Sequence, residues 1–213
     1  MRDEETGSWW QQVTGEAIQG PLKGQRLRPV LHDELTFGLW KREQPEGRVL
    51  RPNDEIMRAG KYAPENWEER MNKVPVTTSV ALDKSLEPRT LVAGITANGA
   101  AKAYPFAALV KQSLILDEVG GDAIFVVIGR DKRSVRAYDR SVDGRKLEFF
   151  LKANTPPLTL VDAETGSEWD FTGKAISGPL SGRQLQKVAV LNDYWFDWTT
   201  YHPHTKIYQL GAR

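Results

Sequence analysis

Residues 14–24, Thr-Gly-Glu-Ala-Ile-Gln-Gly-Pro-Leu-Lys-Gly, recur with substitutions as residues 172–182, Thr-Gly-Lys-Ala-Ile-Ser-Gly-Pro-Leu-Ser-Gly. The correspondence extends outward until Glu5–Val49 matches Glu164–Ile207, with one residue gained or lost near Trp9. The Gly-Pro pair and the next glycine predict two closely spaced turns in each copy, because glycine adopts backbone angles that other residues resist. The sequence therefore predicts an internal repeat, in which one building block is present twice.

Each copy continues from these turns into a predicted short strand and then a predicted short helix. The strands begin at Leu27 and Leu185. The helices cover residues 33–40 and 193–198, with an aspartate near the start that the helix dipole favours. Two aromatic residues three positions apart share one face of each helix, and a proline ends it.

Tryptophan is concentrated in the two copies, which contain six of the seven tryptophans of the chain. We expect these rings to supply much of the core, since each buried aromatic side chain stabilises by roughly 1.5 to 3 kcal/mol. Tryptophan pairs are also suited to stacking on a sugar, quinone or pigment ring. As a hypothesis, the aromatic blocks present an interaction surface to partner proteins, with the candidate residues Trp9, Trp10, Trp40, Trp195 and Trp198.

Three turn pairs, Asn98-Gly99, Gly120-Gly121 and Asp143-Gly144, each separate two β-branched or aromatic runs. Such pairs fit tight hairpins, and they predict a meander of five or six strands. Pro105 precedes a predicted helix of one or two turns over residues 106–110. We therefore predict an α+β fold, mostly antiparallel β-sheet in a meander or barrel-like arrangement, with a few short helices.

Composition excludes several classes of function. Lys and Arg number 29 and Asp and Glu number 28, so the net charge of +1 gives no overall attraction to nucleic acid or to an anionic membrane. The chain has no cysteine, which excludes disulfides, thiolate nucleophiles and thiolate metal sites. No apolar run approaches the ~20 residues that span a bilayer. The segment Met1–Glu5 does not resemble the start of an export signal.

Five motifs follow one another along the chain: Ala103–Pro105, Asp117–Gly121, Tyr138–Arg140, Glu164–Ser167 and Thr172–Gly182. Together they resemble a bacterial family of unknown function that is numbered 3179. The resemblance covers about residues 76–210 as one full unit, and the N-terminal segment resembles the back half of a second unit. It implies a half-unit repeat over residues 1–51, a polar connector over residues 52–75 and a complete family unit over residues 76–213.

The chain departs from the family pattern at two places that carry reactive side chains. Family members usually have a Cys-Pro-Leu-Cys-Gly-Thr stretch where this chain has Gly129–Ser134, so the thiols align with Gly129 and Lys132. Their histidine aligns with Gln112, and their Asn-Asp pair aligns with Leu116-Asp117. Glycine, lysine and glutamine provide neither a soft ligand nor a base at neutral pH. The resemblance therefore implies a scaffold that has lost such chemistry here.

Two clusters are weak candidates for ligand binding. Arg130, Lys132 and Arg133 follow a predicted strand, where a loop can bind an anion. The alternative is a solvated hairpin tip that keeps the end of the sheet soluble. His202 and His204 are suited to binding a metal with a third ligand from elsewhere, although the alternative is a surface loop that closes the terminal helix.

Carboxylates offer the remaining route to catalysis. Asp117 and Glu118 precede a glycine turn, and Asp139 lies in a predicted strand beside an arginine. Buried, such groups act as general acids or bases in a hydrolase, but carboxylates at strand ends are usually solvated or bonded to turn amides. We assign no catalytic residue, no metal and no cofactor.

The leading hypothesis is a non-catalytic structural or accessory subunit that docks on other protein subunits through the tryptophan-rich blocks or the connector. The alternative is a domain that binds a small ligand, a metal or a redox cofactor. Relatives resemble exported bacterial proteins, whereas this chain shows no export signal. Peripheral membrane association through partners stays open.

Overall fold

The computed structural model of the chain describes residues 1–60, 63–77, 81–153, 155 and 157–210. The chain divides into two compact units, residues 1–32 and residues 33–213. The division predicted from the sequence, into residues 1–51, 52–75 and 76–213, stays a prediction.

Residues 1–32 are organised around one hairpin. Strand β1 (Trp9–Trp10) pairs antiparallel with β2 (Ala17–Gln19), and Trp10 lies opposite Ala17. Both side chains are buried, as is Ser8. In the matching hairpin of the larger unit, Trp169 lies opposite Ala175. These two residues are six positions apart in sequence, whereas Trp10 and Ala17 are seven positions apart. The one-residue difference between the copies therefore lies just after Trp10.

Residues 33–213 combine short helices with three four-stranded sheets. The helices are α1 (Phe37–Glu43), α2 (Asp54–Arg58), α3 (Trp67–Asn72), α4 (Phe106–Gln112) and α5 (Trp195–Tyr201). The strands are β3 (Leu91–Ala97), β4 (Ala100–Pro105), β5 (Leu114–Val119), β6 (Asp122–Ile128), β7 (Val135–Asp139), β8 (Ser141–Val142), β9 (Arg145–Lys146), β10 (Phe149–Leu151), β11 (Thr159–Asp162), β12 (Glu168–Asp170), β13 (Ala175–Ser177), β14 (Lys187–Val188), β15 (Leu191–Tyr194) and β16 (Lys206–Ile207).

The strand order defines sheet A as β15-β3-β4-β16, sheet B as β14-β7-β6-β5 and sheet C as β10-β11-β12-β13. Neighbouring strands are antiparallel, except that β16 runs parallel to β4. The predicted α+β class with mostly antiparallel sheet is confirmed. Within the part of the chain that the structure describes, the sheets do not close into a barrel.

Sheet B is buried on both faces. On β6, Ile124 and Val126 belong to a first apolar cluster that sheet A and α4 complete, whereas Phe125 and Val127 belong to a second cluster that sheet C completes. A strand covered on both faces needs apolar side chains at successive positions, which accounts for the uninterrupted run on β6. A third cluster packs α5 on the outer face of sheet A.

Two of the three predicted hairpins are confirmed. Asn98-Gly99 joins β3 to β4, with φ angles of 48° and 79°, and Gly120-Gly121 joins β5 to β6. The third turn, Asp143-Gly144, joins only the two-residue strands β8 and β9. The predicted pairing of residues 134–140 with residues 146–151 is wrong, because β6 and β14 occupy both edges of β7 and β10 pairs with β11.

The helix that follows Pro105 is confirmed as α4, whereas the repeated helices begin later than predicted. Helix α1 begins at Phe37 and α5 begins at Trp195. Asp33 and Asp193 therefore precede these helices and do not cap them. Thr36 caps α1 instead, since its hydroxyl accepts a hydrogen bond from the Leu39 N–H.

The predicted strands at Leu27 and Leu185 are also wrong. In the second copy the strand begins at Lys187, and residues 27–30 of the first copy lie outside strands. The predicted connector contains the two exposed helices α2 and α3. Among the described residues, no helix has the length and apolarity needed to cross a bilayer.

Candidate functional site

A buried arginine organises the cleft between α1 and sheet B. Arg136 lies on β7 and its side chain is 4% exposed. Its guanidinium lies 4.7 Å from the centre of the Phe171 ring, in a cation–π contact. On the same face of β7, the Tyr138 hydroxyl donates a 2.9 Å hydrogen bond to the Phe171 carbonyl, and burial raises the pKa of Tyr138.

Two carboxylates from the segment around α1 neutralise this arginine. Glu43 accepts two hydrogen bonds from the guanidinium, 2.8 Å from Nη1 and 2.7 Å from Nη2. Asp33 accepts a third, 2.8 Å from Nη2, and also binds Lys187 Nζ at 2.6 Å. The paired, two-point geometry with Glu43 is the strongest form of an arginine–carboxylate contact.

The charges of this group stabilise one another. Burial opposes ionisation of Asp33, but the hydrogen bonds from Arg136 and Lys187 outweigh it and lower the pKa of Asp33. Burial likewise disfavours charged Arg136, but the hydrogen bonds to Glu43 and Asp33 raise its pKa. Because Asp33 and Arg136 stay ionised at neutral pH, neither provides the poised acid or base that catalysis requires.

The cleft beside this group has a volume of about 360 Å³ and is lined by Asp33, Leu35, Trp40, Glu43, Gln44, Arg136, Thr172 and Lys187. Leu35 and Leu39 pack against the second apolar cluster and hold α1 on the sheets. The arrangement binds the chain's own acidic segment to a buried cation.

The loop Gly129–Ser134, where the resemblance places a cysteine stretch, is closed by the Asp131 carboxylate. Asp131 accepts hydrogen bonds from the Ser134 N–H at 2.9 Å and the Ser134 hydroxyl at 2.5 Å. It also accepts one from the Thr36 hydroxyl at 2.7 Å, and the Thr36 N–H donates to Ser134 Oγ at 3.0 Å. Burial opposes ionisation of Asp131, but the hydrogen bonds from Ser134 and Thr36 outweigh it and lower the pKa of Asp131 to about 2. The loop is thereby a second anchor for the start of α1.

The two positions where the resemblance places thiols lie at one cleft. Gly129 and Lys132 both line a cleft of about 320 Å³, together with Arg130 and Lys152. Arg130 donates to the carbonyl of Thr155, and Lys152 pairs with Glu168 at 2.5 Å. Arg133 of the predicted basic cluster does not line this cleft, although its N–H donates to Asp131 at 3.1 Å.

Gln112, where the resemblance places a histidine, lies on α4 and forms a polar contact. Its side-chain oxygen accepts a 2.7 Å hydrogen bond from the Tyr208 hydroxyl. The Tyr208 ring stacks on Tyr104 with ring centres 5.5 Å apart. Gln112 thus serves as an acceptor for a tyrosine at a sheet edge.

The candidate aspartates Asp117 and Asp139 form different hydrogen bonds. Asp117 accepts from the Tyr104 hydroxyl at 2.8 Å and pairs with Lys102 at 2.6 Å. Burial, and then the charge of Asp117, raise the pKa of Tyr104. Asp139 accepts from the Ser141 N–H at 2.6 Å, as a turn residue commonly does. The two aspartates therefore occupy separate structural contacts.

The candidate metal ligands line another cleft, of about 290 Å³. Its walls include His202, His204, Glu118, Lys102 and Lys206. The His202 ring lies 4.0 Å from the Trp198 ring, and burial lowers the pKa of His202. Throughout the described ranges, no group of three or more His, Asp or Glu side chains is arranged to hold a metal ion.

The candidate interaction tryptophans differ widely in exposure. Trp195 and Trp198 are each 1% exposed and Trp10 is 9% exposed, whereas Trp9 is 47% exposed. Trp40 is partly buried. Burial removes Trp10, Trp195 and Trp198 from direct contact with a partner in this fold. The role of Trp9 and Trp40 in an interaction stays a prediction.

Sequence reasoning missed the Arg136 group. A signal existed, because Arg136 interrupts an apolar strand whose neighbouring positions are buried. A charged side chain in such a strand requires a partner. The sequence did not identify Asp33 and Glu43 as those partners, since both lie about a hundred residues away.

Comparison with known proteins gives one match. A family model described as protein of unknown function (DUF3179) matches residues 1–205. This span extends beyond the segment that carried the resemblance and includes the N-terminal copy. No curated protein and no solved structure matches the chain.

Proposed function

This chain belongs to the DUF3179 family, and we propose that it acts there as a non-catalytic structural or accessory subunit that docks on partner proteins. The internal repeat supplies the docking element in this proposal. One copy completes the core, and the other copy presents α1 to a partner.

The observation that carries the proposal is the pairing of polar groups at the candidate cleft. Arg136 is bonded to Glu43 and Asp33, and Asp131 is bonded to Ser134 and Thr36. Groups held in this way position a segment of chain and leave little capacity for substrate chemistry. The Gly129 and Lys132 positions, where the resemblance places thiols, provide no thiolate.

An exposed aromatic ring supports docking by α1. Phe37 is 63% exposed and stacks on Trp40 with ring centres 5.7 Å apart. Exposed aromatic side chains on a rigid element are typical anchors of protein interfaces. The Arg136 and Asp131 anchors hold this helix in place and so reduce the entropy lost on binding.

Native mass spectrometry of the protein purified from its own source tests the proposal. We expect an assembly that contains the 24.0 kDa chain and at least one different polypeptide in fixed ratio. Phe37→Ser should dissociate it, whereas Phe150→Ser, a matched change at a ring that is 56% exposed on β10, should not. A chain found alone at concentrations where complexes persist would contradict the proposal.

A second candidate function is the binding of a small anion, and one observation favours it. Arg140 is 7% exposed, and its Nε is buried without a hydrogen-bond partner among the described residues. A buried guanidinium with spare donors is suited to a carboxylate or phosphate. Calorimetric titration with inorganic phosphate and with acetate tests this, using Arg140→Met. Arg145→Met, on exposed β9, is the control. Binding that both variants retain, or no binding by the wild-type chain, excludes the site.

A further inference from the structure

The cleft beside the loop Gly129–Ser134 has apolar walls. Its volume of about 320 Å³ lies within the range of small-molecule sites. Val110 of α4 and Leu151 of β10 line it, and these large apolar side chains are 36% and 37% exposed. Ile128 and Leu158 also line it and are buried. The cleft therefore offers apolar surface that a ligand would remove from water.

The charged residues of the same cleft are cations. Arg130, Lys132 and Lys152 line it, and no carboxylate of the described chain does. Glu168 neutralises Lys152, whereas the Lys132 ammonium has no carboxylate or other acceptor among the described residues. The Arg130 side chain donates to the Thr155 carbonyl, which uses one of the five N–H donors of a guanidinium. Two cations with unused donors therefore line an apolar cleft.

The backbone at this cleft adopts conformations that are unusual for residues with a side chain. Four non-glycine residues of the described chain have positive φ angles. Two of them, Asn98 and Asp143, precede a glycine in a hairpin turn, where such angles are ordinary. The other two, Ser113 at 64° and Lys132 at 56°, both line this cleft. Such strain persists only where the surrounding structure enforces it, and it is concentrated at ligand-binding and active sites.

Ser113 has the more unusual conformation of the two. It follows α4 with a ψ angle of −33°, which lies outside the left-handed helical region. Its N–H donates to the Leu109 carbonyl at 2.7 Å, and its carbonyl accepts from the Ile128 N–H at 3.0 Å. Within the described ranges the Ser113 hydroxyl has no hydrogen-bond partner. The backbone bonds therefore fix Ser113 and leave its hydroxyl available to a ligand.

We propose that this cleft binds an organic anion, a carboxylate with a short hydrocarbon tail. Lys132, Arg130 and the Ser113 hydroxyl bind the carboxylate, because all three donate hydrogen bonds and two are charged. The tail packs on Val110 and Leu151. The site is separate from the Arg140 candidate, since Arg140 does not line this cleft. Binding of this anion goes beyond docking on a partner and does not depend on it.

Titration of the isotopically labelled full chain with hexanoate, followed by two-dimensional NMR, tests the proposal. We expect saturable shifts of the backbone amides of Ser113, Gly129 and Lys132. Hexanoate should bind at least about tenfold more tightly than acetate, which lacks the tail, and than hexanol, which lacks the charge.

Two variants test the named residues. Lys132→Asn should weaken hexanoate binding at least about tenfold, because a charged partner of the carboxylate is lost. Asparagine tolerates the positive φ angle at this position, so the loop is kept. Ser113→Gly should raise the urea midpoint, because glycine adopts this φ angle without strain, and should weaken binding by at least about threefold. Lys146→Asn, on exposed β9, is the matched control and should bind hexanoate as the wild type does.

Four outcomes overturn the inference. They are no saturable binding of hexanoate by the wild type, binding of acetate or hexanol that is as tight, amide shifts that saturate away from the cleft, and binding that Lys132→Asn and Ser113→Gly both retain. The proposed docking function fails separately, when no different polypeptide accompanies the chain in native mass spectrometry.

Discussion

The glycine-rich turns of the two segments that we predict to be copies contain the same hydrogen bonds in different surroundings. In the first, the Trp10 indole N–H and the Thr6 N–H donate to Asp3, at 2.8 and 2.6 Å. In the second, Trp169 and Thr165 donate to Asp162 at the same two distances. The hydroxyls of Ser8 and Ser167 accept from the backbone at 3.1 and 3.0 Å.

Burial separates the two regions. Asp162 on β11 and Trp169 on β12 are fully buried within sheet C, and Leu185 is 3% exposed. Leu27, the counterpart of Leu185, is 50% exposed. The local bonds depend on residues close in sequence, whereas burial depends on what the rest of the chain places over them. Equal local structure should therefore give unequal contributions to stability.

The largest expected difference is between the helix tryptophans. Trp198→Ala should lower the free energy of unfolding by about 3 to 5 kcal/mol, because it leaves a cavity between α5 and sheet A. Trp40→Ala should cost about 1 to 2 kcal/mol, because that ring is only partly buried. Urea unfolding followed by circular dichroism measures both. Equal losses would show that α1 is as tightly packed as α5.

The turn aspartates give the next difference. Asp162→Ala should cost about 3 kcal/mol, because the buried Trp169 N–H loses its acceptor. Asp3→Ala should cost less, since solvent can replace that acceptor. The comparison uses the midpoints of urea unfolding for the two variants, and a greater loss from Asp3→Ala would contradict the role assigned to burial.

The ion pairs of Arg136 that anchor α1 should contribute less to the free energy of unfolding. Glu43→Gln should lower the free energy of unfolding by about 2 kcal/mol, since buried Arg136 keeps Asp33 but loses one charged partner. The exposed Glu46→Gln is the matched control and should change it by less than about 0.5 kcal/mol. The rate of backbone amide hydrogen exchange in α1 should increase in Glu43→Gln and stay unchanged in Glu46→Gln.

The smallest expected effect concerns pH and β15. Burial, and then the charge of Asp197, raise the pKa of Asp193 from 3.8 to about 6. The stability linked to protonated Asp193 is complete below pH 3.8 and is lost as the pH rises through about 6. Asp193→Asn should therefore stabilise the protein by about 1 kcal/mol above pH 6, after allowance for solvent screening.

In acid the Asp193→Asn variant and the wild type should unfold at the same urea concentration. The exposed Asp54→Asn on α2 serves as the control for the removal of one surface carboxylate. Stabilisation that is equal at pH 3 and pH 7 would show that Asp193 acts by packing and not by its charge.

Much of the fold was predictable from residues close in sequence. Asn98-Gly99 and Gly120-Gly121 specified two hairpins, because their positive φ angles fit tight turns. Pro105 correctly predicted the start of α4. The partner of β10 was not predictable, because Asp143-Gly144 suggested a long local hairpin and only tertiary packing favours β11.

The candidate site was less predictable than the fold. The family resemblance directed attention to Gly129, Lys132 and Gln112, and the first two do share a cleft. The Arg136 group was missed because its carboxylates, Asp33 and Glu43, lie about a hundred residues before Arg136 in the sequence. An ion pair over such a separation depends on the fold as a whole.

The sequence by itself determined two of the three predicted hairpins and the hydrogen bonds that Asp3 and Asp162 accept, since each needs only a few neighbouring residues. The tertiary structure decided which face of each repeated helix is buried. Trp195 and Trp198 meet a glycine-containing sheet, whereas α1 contacts the core through Leu39 and presents Phe37 to solvent. The reason is physical: apolar burial is set by the surfaces available to a helix, and similar helices meet different surfaces in the two copies.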